Sequence, residues 1–186
     1  MDIHGLQKLT LLDYPGRTAC TVFLSGCNFR CPFCHNAPLL TAADEDGMDE
    51  DELLAFLKKR QGLLDGVAVT GGEPLLRPEL PALLEKIKAL GYAIKLDTNG
   101  AFPERLEAIV QAGLADYVAM DVKNSPERYA QTIGVCEPEL TPVFKSVSFL
   151  LRGTVAYEFR TTAVAELHDD ASFLKLGDWL AGAKRY

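Results

Sequence analysis

The 186-residue chain has little of what would place it in a membrane, in an export pathway or on a polyanion. It contains no apolar run of about eighteen residues, so no membrane-spanning helix is expected. Its first residues, MDIHGLQKLTLLDYPG, lack an apolar core and a small-residue cleavage site, so no signal peptide is expected and the cytoplasm is the expected compartment. Basic residues are outnumbered, 19 against 26, for a net charge of −7. Long-range attraction to nucleic acid or anionic lipid is therefore not expected. Repeats and low-complexity linkers are absent, and no Ser–His–Asp or Cys–His arrangement for nucleophilic catalysis stands out. Cysteine is sparse, with five residues, but three of them, Cys27, Cys31 and Cys34, fall within eight positions. Without an export signal, such clustering points to metal or redox chemistry and away from a disulfide framework. Cys20 and Cys136 stand alone and are expected to be small buried hydrophobes.

What is present is ordinary globular composition, 48% hydrophobic and 24% charged, enough for one domain spanning 1–186. Short apolar runs at Ala19–Leu24, Val67–Thr70, Ala93–Leu96, Tyr117–Met120 and Tyr157–Thr161 read as buried strands. Helical patterns separate them. Glu50–Arg60 stops before Gly62, a second helix opens at Pro78, a third runs from Pro103 to near Gly113, and a fourth takes Thr141 as N-cap and closes at Gly153. The last spans about Asp170 to Ala181. The acidic stretch at 44–52 reads as a solvated loop leading into a helix first turn.

Strand–helix alternation implies an α/β fold with parallel strands. Each strand is followed at once by polar chemistry: Ser25-Gly26-Cys27, Gly71-Gly72-Glu73, Asp97-Thr98-Asn99, Asp121 with Lys123, and Arg160 to Thr162. Five successive strand ends supplying polar groups is the barrel pattern, with one site at the C-terminal face. A doubly wound sheet would gather its site at a single switch point. A full barrel needs roughly 250 residues, so the expectation is a partial (β/α) barrel of about five to six βα units.

The segment C-N-F-R-C-P-F-C-H-N at 27–36 admits three cofactors. Cys-Pro-Phe-Cys-His fits haem attachment but leaves Cys27 unexplained. Three thiols with His35 could close a zinc site, although adjacent Cys34 and His35 project differently. An iron–sulfur cubane normally takes four thiolates. Three would leave one iron open to an external chelator such as an amino acid.

C-x3-C-x2-C after the first strand of a βα series, with Gly71-Gly72-Glu73-Pro74 after the second, resembles the radical S-adenosylmethionine (SAM) superfamily. The resemblance implies a [4Fe–4S] cluster on Cys27, Cys31 and Cys34, and SAM chelating the fourth iron. It also places Phe33 near the adenine and the glycine-rich backbone against the methionine amino group. The LQKLTLLDYPG, LDTNG and YVAMDVK segments make the chain similar to glycyl-radical-enzyme activating proteins, most of all to anaerobic ribonucleoside-triphosphate reductase activating proteins. That likeness implies reductive cleavage of SAM and a 5′-deoxyadenosyl radical that takes hydrogen from a glycine of a partner enzyme, with flavodoxin or ferredoxin as electron donor. It further implies a monovalent cation on Asp97, Thr98 and Asp121, a carboxylate contact from Lys123, and Arg160 beside the site. Two departures are visible. Val164-Ala165-Glu166-Leu167-His168-Asp169 stands where the family has Val-Pro-Gly-Leu-His-Asp. The chain also stops where a sixth strand of the series is expected, which reads as a C-terminal truncation.

Overall fold

A computed structural model describes residues 3–40 and 47–186, so residues 44–46 of the acidic stretch lie outside it. The fold is built on a six-stranded sheet in the order β1-β2-β3-β4-β5-β6, every strand lying beside its neighbour in sequence. The strands are β1 (Gly5–Thr10), β2 (Ala19–Leu24), β3 (Gly66–Gly71), β4 (Ala93–Thr98), β5 (Tyr117–Asp121) and β6 (Ala156–Arg160). β1 pairs antiparallel with β2, and β2 to β6 are parallel throughout. With right-handed crossovers, a strictly sequential order puts the connecting helices on one face. The order never reverses, so there is no doubly wound switch point. The sheet does not close, and the architecture is the expected partial barrel.

The helices are α1 (Glu50–Arg60), α2 (Leu80–Ala89), α3 (Pro103–Gln111), α4 (Tyr129–Ile133), α5 (Thr141–Leu151) and α6 (Asp170–Trp179). α1 begins with a capping box, Asp49 and Glu52 exchanging side-chain and backbone bonds, and its first-turn acids and last-turn bases both suit the dipole. It buries Leu53 and Leu57, while α2 buries Leu80, Leu83, Leu84 and Ile87. These side chains meet the strand residues that point the same way: Val22, Leu24, Val67, Val69, Ile94, Leu96, Val118 and Met120. This is the main core.

Several boundaries differ from the sequence expectation. α2 starts at Leu80 with Pro81 in its first turn, because Pro78 follows a short 3-10 turn at Pro74–Leu76 and lies outside the helix. Thr141 is the first residue of α5 and makes no side-chain cap; Leu140 precedes it, and Pro142 supplies the helical φ. Two elements were not anticipated. β1 is an edge strand whose middle residues are exposed, so its apolar alternation is weak. α4 is a single five-residue turn closed by left-handed Gly134. Cys20 is buried as expected, and burial pushes its thiol up to about 12. Cys136 is exposed, contrary to expectation, because it follows the Gly134 cap in a surface turn. Beyond β6, the Phe159 amide donates to Arg185 O at 3.1 Å, so the chain near its last residue runs against the outer edge of that strand.

Candidate active site

The C-terminal ends of β2 to β6 surround a cavity of about 220 Å³. Its lining takes Cys27, Cys31, Phe33 and Cys34 from the loop after β2, Gly71 and Gly72 from the end of β3, and Asp97, Thr98, Asn99, Asp121, Lys123 and Arg160 from the ends of β4 to β6. Of the residues expected at the site, only Glu73 is not in this lining.

The cysteine loop is held by backbone bonds at several points. The Gly26 amide donates to Leu39 O at 3.0 Å, and the Arg30 amide donates to Ile133 O at 2.8 Å. Close approach at Arg30 requires Gly134, whose added Cβ would lie 2.3 Å from Arg30 O. Phe29, buried under the loop, packs edge-on to Tyr129 with ring centroids 6.4 Å apart. The Phe29 amide points at Cys27 Sγ, 3.4 Å away. Burial pushes the Cys27 and Cys31 thiols up, and the nearby Lys123 ammonium acts in the opposite direction. The three thiols share the cavity, yet among the described residues no set of three His, Cys, Asp or Glu side chains is drawn close enough to hold a single metal ion.

The glycine pair lines the cavity and also does a structural job that its motif does not announce. A Cβ on Gly72 would sit 1.9 Å from Gly26 O, and one on Gly71, at φ +123°, would sit 2.2 Å from Leu24 O. The Gly72 amide donates to Leu24 O and the Glu73 amide to Gly26 O, both at 2.8 Å. The glycines thus let the end of β3 lie flat against the root of the cysteine loop. Asn36 completes the joint: its Nδ2 donates to Gly71 O at 2.9 Å, giving a physical role to the asparagine that ends the C-N-F-R-C-P-F-C-H-N segment.

Glu73 turns inward, fully buried, and accepts from Thr98 Oγ1 (2.8 Å), the Asn99 amide (2.6 Å) and the Leu75 amide (3.1 Å). Burial pushes its carboxyl up to about 7, against the pull of these donors. It fixes the end of β4 to the end of β3, and it lies outside the lining of the cavity. Asn99 in turn donates from Nδ2 to Asn28 Oδ1 at 2.8 Å and comes within 3.8 Å of Cys27 Sγ.

Across the cavity, charged side chains form a chain of contacts. Lys95 pairs with Asp97 Oδ1, Arg160 bridges Asp97 Oδ2 (3.2 Å) and Asp121 Oδ1 (3.0 Å), and Lys123 pairs with Asp121 Oδ2 (2.9 Å). The two cations beside Asp121 hold its carboxyl below the usual range despite its burial. Lys123 is positioned by its backbone: its amide donates to Tyr129 Oη at 3.3 Å, and its carbonyl accepts from His168 Nε2 at 2.9 Å. His168 Nδ1 faces the Val164 amide at 3.2 Å, so the variant loop at 164–169 is knitted onto this strand end. Lys95 and Asn28 do not stand out in the sequence, and Asn36 and Asn99 stand out there only as members of their motifs, without a role of their own. Lys95 was accessible to the period-2 rule, since it lies two residues before Asp97 on the same face of β4.

The model of the radical SAM superfamily matches residues 21–147, which spans β2 to the middle of α5. The chain belongs to the radical SAM superfamily. A [4Fe–4S] cluster and SAM are the cofactors of this family, and its members are oxidoreductase-type enzymes. This radical SAM chain is 31% identical over 175 residues to a Methanocaldococcus jannaschii protein provisionally named a glycyl-radical enzyme activating enzyme, covering 90% of this chain and 70% of that one. It is 35% identical over 128 residues to the pyruvate formate-lyase-activating enzyme of Clostridium pasteurianum, covering 66% of this chain and 52% of that protein. Among solved structures, its fold is similar to that of SuiB from Streptococcus suis bound to the precursor peptide SuiA (TM-score 0.66, 16% identity, 89% of this chain and 37% of that chain). It is also similar to QueE from Escherichia coli (TM-score 0.51, 15% identity, 87% and 94%).

The residues fit the family's cofactors. Three partly buried thiols open onto one cavity, which suits a cluster with one corner left for a ligand. Lys123 and Arg160, lining the same cavity, suit an amino-acid carboxylate. The aromatic face of Phe33 lines the same space.

Proposed function

We propose that this chain carries the radical-generating core of a glycyl-radical-enzyme activating enzyme, acting on a partner of the anaerobic ribonucleotide reductase or pyruvate formate-lyase type. The observation that carries the reading is the meeting of three thiols with the Lys123 and Arg160 cations across one cavity at the strand ends. The names of the relatives in M. jannaschii and C. pasteurianum support the choice of partner class. Bound here, the cofactors supply one-electron reductive cleavage of SAM to methionine and a 5′-deoxyadenosyl radical, which takes a hydrogen atom from a glycine α-carbon of the partner. The chain's own side chains bind and orient. Cys27, Cys31 and Cys34 hold the cluster, Lys123 and Arg160 take the carboxylate of the methionine moiety, Phe33 offers a face to the adenine, and Asn36 and Glu73 keep the three strand ends in register. No side chain is asked to act as acid or base. An electron donor such as flavodoxin or ferredoxin and an anaerobic cytoplasm complete the proposal.

A second reading, a radical SAM enzyme acting on a small molecule, has one specific support. The 7-carboxy-7-deazaguanine synthase of Hyperthermus butylicus is 36% identical to this chain over 91 residues. One experiment separates the readings. Anaerobically reconstituted protein is reduced with SAM and a glycyl-radical enzyme, with 5′-deoxyadenosine measured by chromatography and the glycyl radical by EPR. Both signals are expected. 5′-Deoxyadenosine without a protein radical for any such partner favours the small-molecule reading, and no 5′-deoxyadenosine at all sinks both.

A further inference from the structure

The charged network at the ends of β4, β5 and β6 leaves none of its carboxylate oxygens without a cationic side chain. Asp97 Oδ1 contacts Lys95 Nζ; Asp97 Oδ2 lies 3.2 Å from Arg160 Nη2; Asp121 Oδ1 lies 3.0 Å from Arg160 Nε; Asp121 Oδ2 lies 2.9 Å from Lys123 Nζ. Thr98 Oγ1, the remaining oxygen of the cation set implied by family resemblance, donates to buried Glu73 and accepts from the Gly100 amide. The three groups therefore do not converge as ligands on one ion.

Lys95 is the distinctive member. It is 1% exposed, which is rare for a lysine without a strong partner. Lys123 and Arg160 line the cavity and are available to a ligand anion; Lys95 is not in the lining and sits behind Asp97. Counting the contacts gives three side-chain cations against two carboxylates, an excess of one positive charge. A single ligand carboxylate neutralises that excess. Adding an alkali cation would double it in a partly desolvated site, where like charges repel most strongly. Displacing Lys95 to make room would strand a buried ammonium without its counter-charge, a costly state.

We infer that the Lys95 ammonium does the work of a monovalent cation between the strand-end carboxylates, so this site binds its amino-acid ligand with no alkali ion. Lys95 is thus a positioning residue: it holds Asp97, and through Asp97 it holds Arg160 in the direction of the cavity. The inference rests on the proposed reading of the cavity as the SAM site.

The test uses the full chain with its cluster reconstituted anaerobically. SAM affinity is measured in potassium chloride and in choline chloride at equal ionic strength. The wild-type dissociation constant is expected to differ by less than about twofold between the salts. Lys95→Met is expected to bind SAM about tenfold more weakly in choline and to recover in potassium, a response that a purely structural lesion would not give. Lys95→Arg, which keeps the charge, is expected to remain indifferent to the salt. Separately, thallium-205 NMR, with Tl⁺ standing for K⁺, is expected to show a bound resonance in Lys95→Met and none in the wild type. A wild-type SAM affinity at least fivefold weaker in choline, or bound Tl⁺ in the wild type, overturns the inference. Should Lys95→Met fail to fold, the wild-type measurements decide alone. Should SAM not bind in either salt, the proposed function fails while the Tl⁺ measurement still judges the cation inference.

Discussion

The two faces of the sheet use alternate residues of the same strands for opposite purposes. On β4, Ile94 and Leu96 enter the helix-covered core while Lys95 and Asp97 face the other way; on β5, Val118 and Met120 do the same against Ala119 and Asp121. The helix side is apolar and fully buried, and burial of such side chains contributes about 1.5–3 kcal/mol each. The inner side pairs small residues, Ala68 and Ala119, with partly buried charges, and such an ion pair is a weak source of stability because desolvation opposes the Coulombic gain. The difference teaches where to look for function in a fold of this kind. The face that contributes least to stability is the one that prepares the site.

The comparison can be broken or sharpened by substitution. The largest stability effect is expected on the helix side: Leu96→Ala should cost about 3–4 kcal/mol in denaturant unfolding, with SAM affinity of the folded protein within about twofold of wild type. Gly72→Ala attacks the joint between the faces. Its Cβ would collide with Gly26 O, a backbone atom, and a loss of about 2–3 kcal/mol is expected together with poor cluster loading measured by iron and sulfide content. On the inner side, Arg160→Met should weaken SAM binding about thirtyfold, roughly 2 kcal/mol, while moving the unfolding midpoint little. If Arg160→Met destabilises as much as Leu96→Ala, the division of labour between the faces is wrong. The last effect concerns Glu73 and is confined to a window of pH. Its folded carboxyl keeps its proton up to about 7, whereas the unfolded chain releases it near the ordinary glutamate value. The folded state therefore binds the extra proton between those values, so stability falls as pH rises through that window and levels off above it. A decline of up to roughly 3 kcal/mol is expected across the window, at about 1.4 kcal/mol per pKa unit, and Glu73→Gln should abolish that slope. An unchanged slope in the variant would remove Glu73 as its source.

Much of the fold was legible because each strand is a compact apolar run bounded by glycine, proline or charge, and because helices such as α1 carry their caps in sequence. β1 was not, since an edge strand with one packed face gives only two or three alternations to read. The cysteine spacing, the glycine pair and the DTNG and DVK segments marked the strand ends and hence the cavity. What sequence order alone did not convey is side-chain direction. Glu73 sits among cavity residues in the chain, but the turn at Pro74–Leu76 swings it into the interior, where it serves the neighbouring strand end. Asn36 and Asn99 owe their roles to partners 35 residues and more away, contacts that no local pattern encodes. Lys95 was hidden by its hydrophobic neighbours, though the alternation of β4 already put it on the face of Asp97.

The strictly sequential strand order also bears on how the molecule comes into being. Each strand pairs with the one before it in sequence, so no pairing has to wait for a later strand, and assembly can advance along the sheet in steps. The cysteine loop and the glycine pair belong to β2 and β3, the first parallel pair, whereas the Asp97–Arg160–Asp121 chain needs β4, β5 and β6 in place. During synthesis from the N-terminus, the cradle for the metal cluster is therefore expected to take shape before the clamp for the small ligand. Pulse-labelling hydrogen exchange during refolding should find the Gly72 and Glu73 amides protected ahead of the Val122 amide, which waits on Arg160.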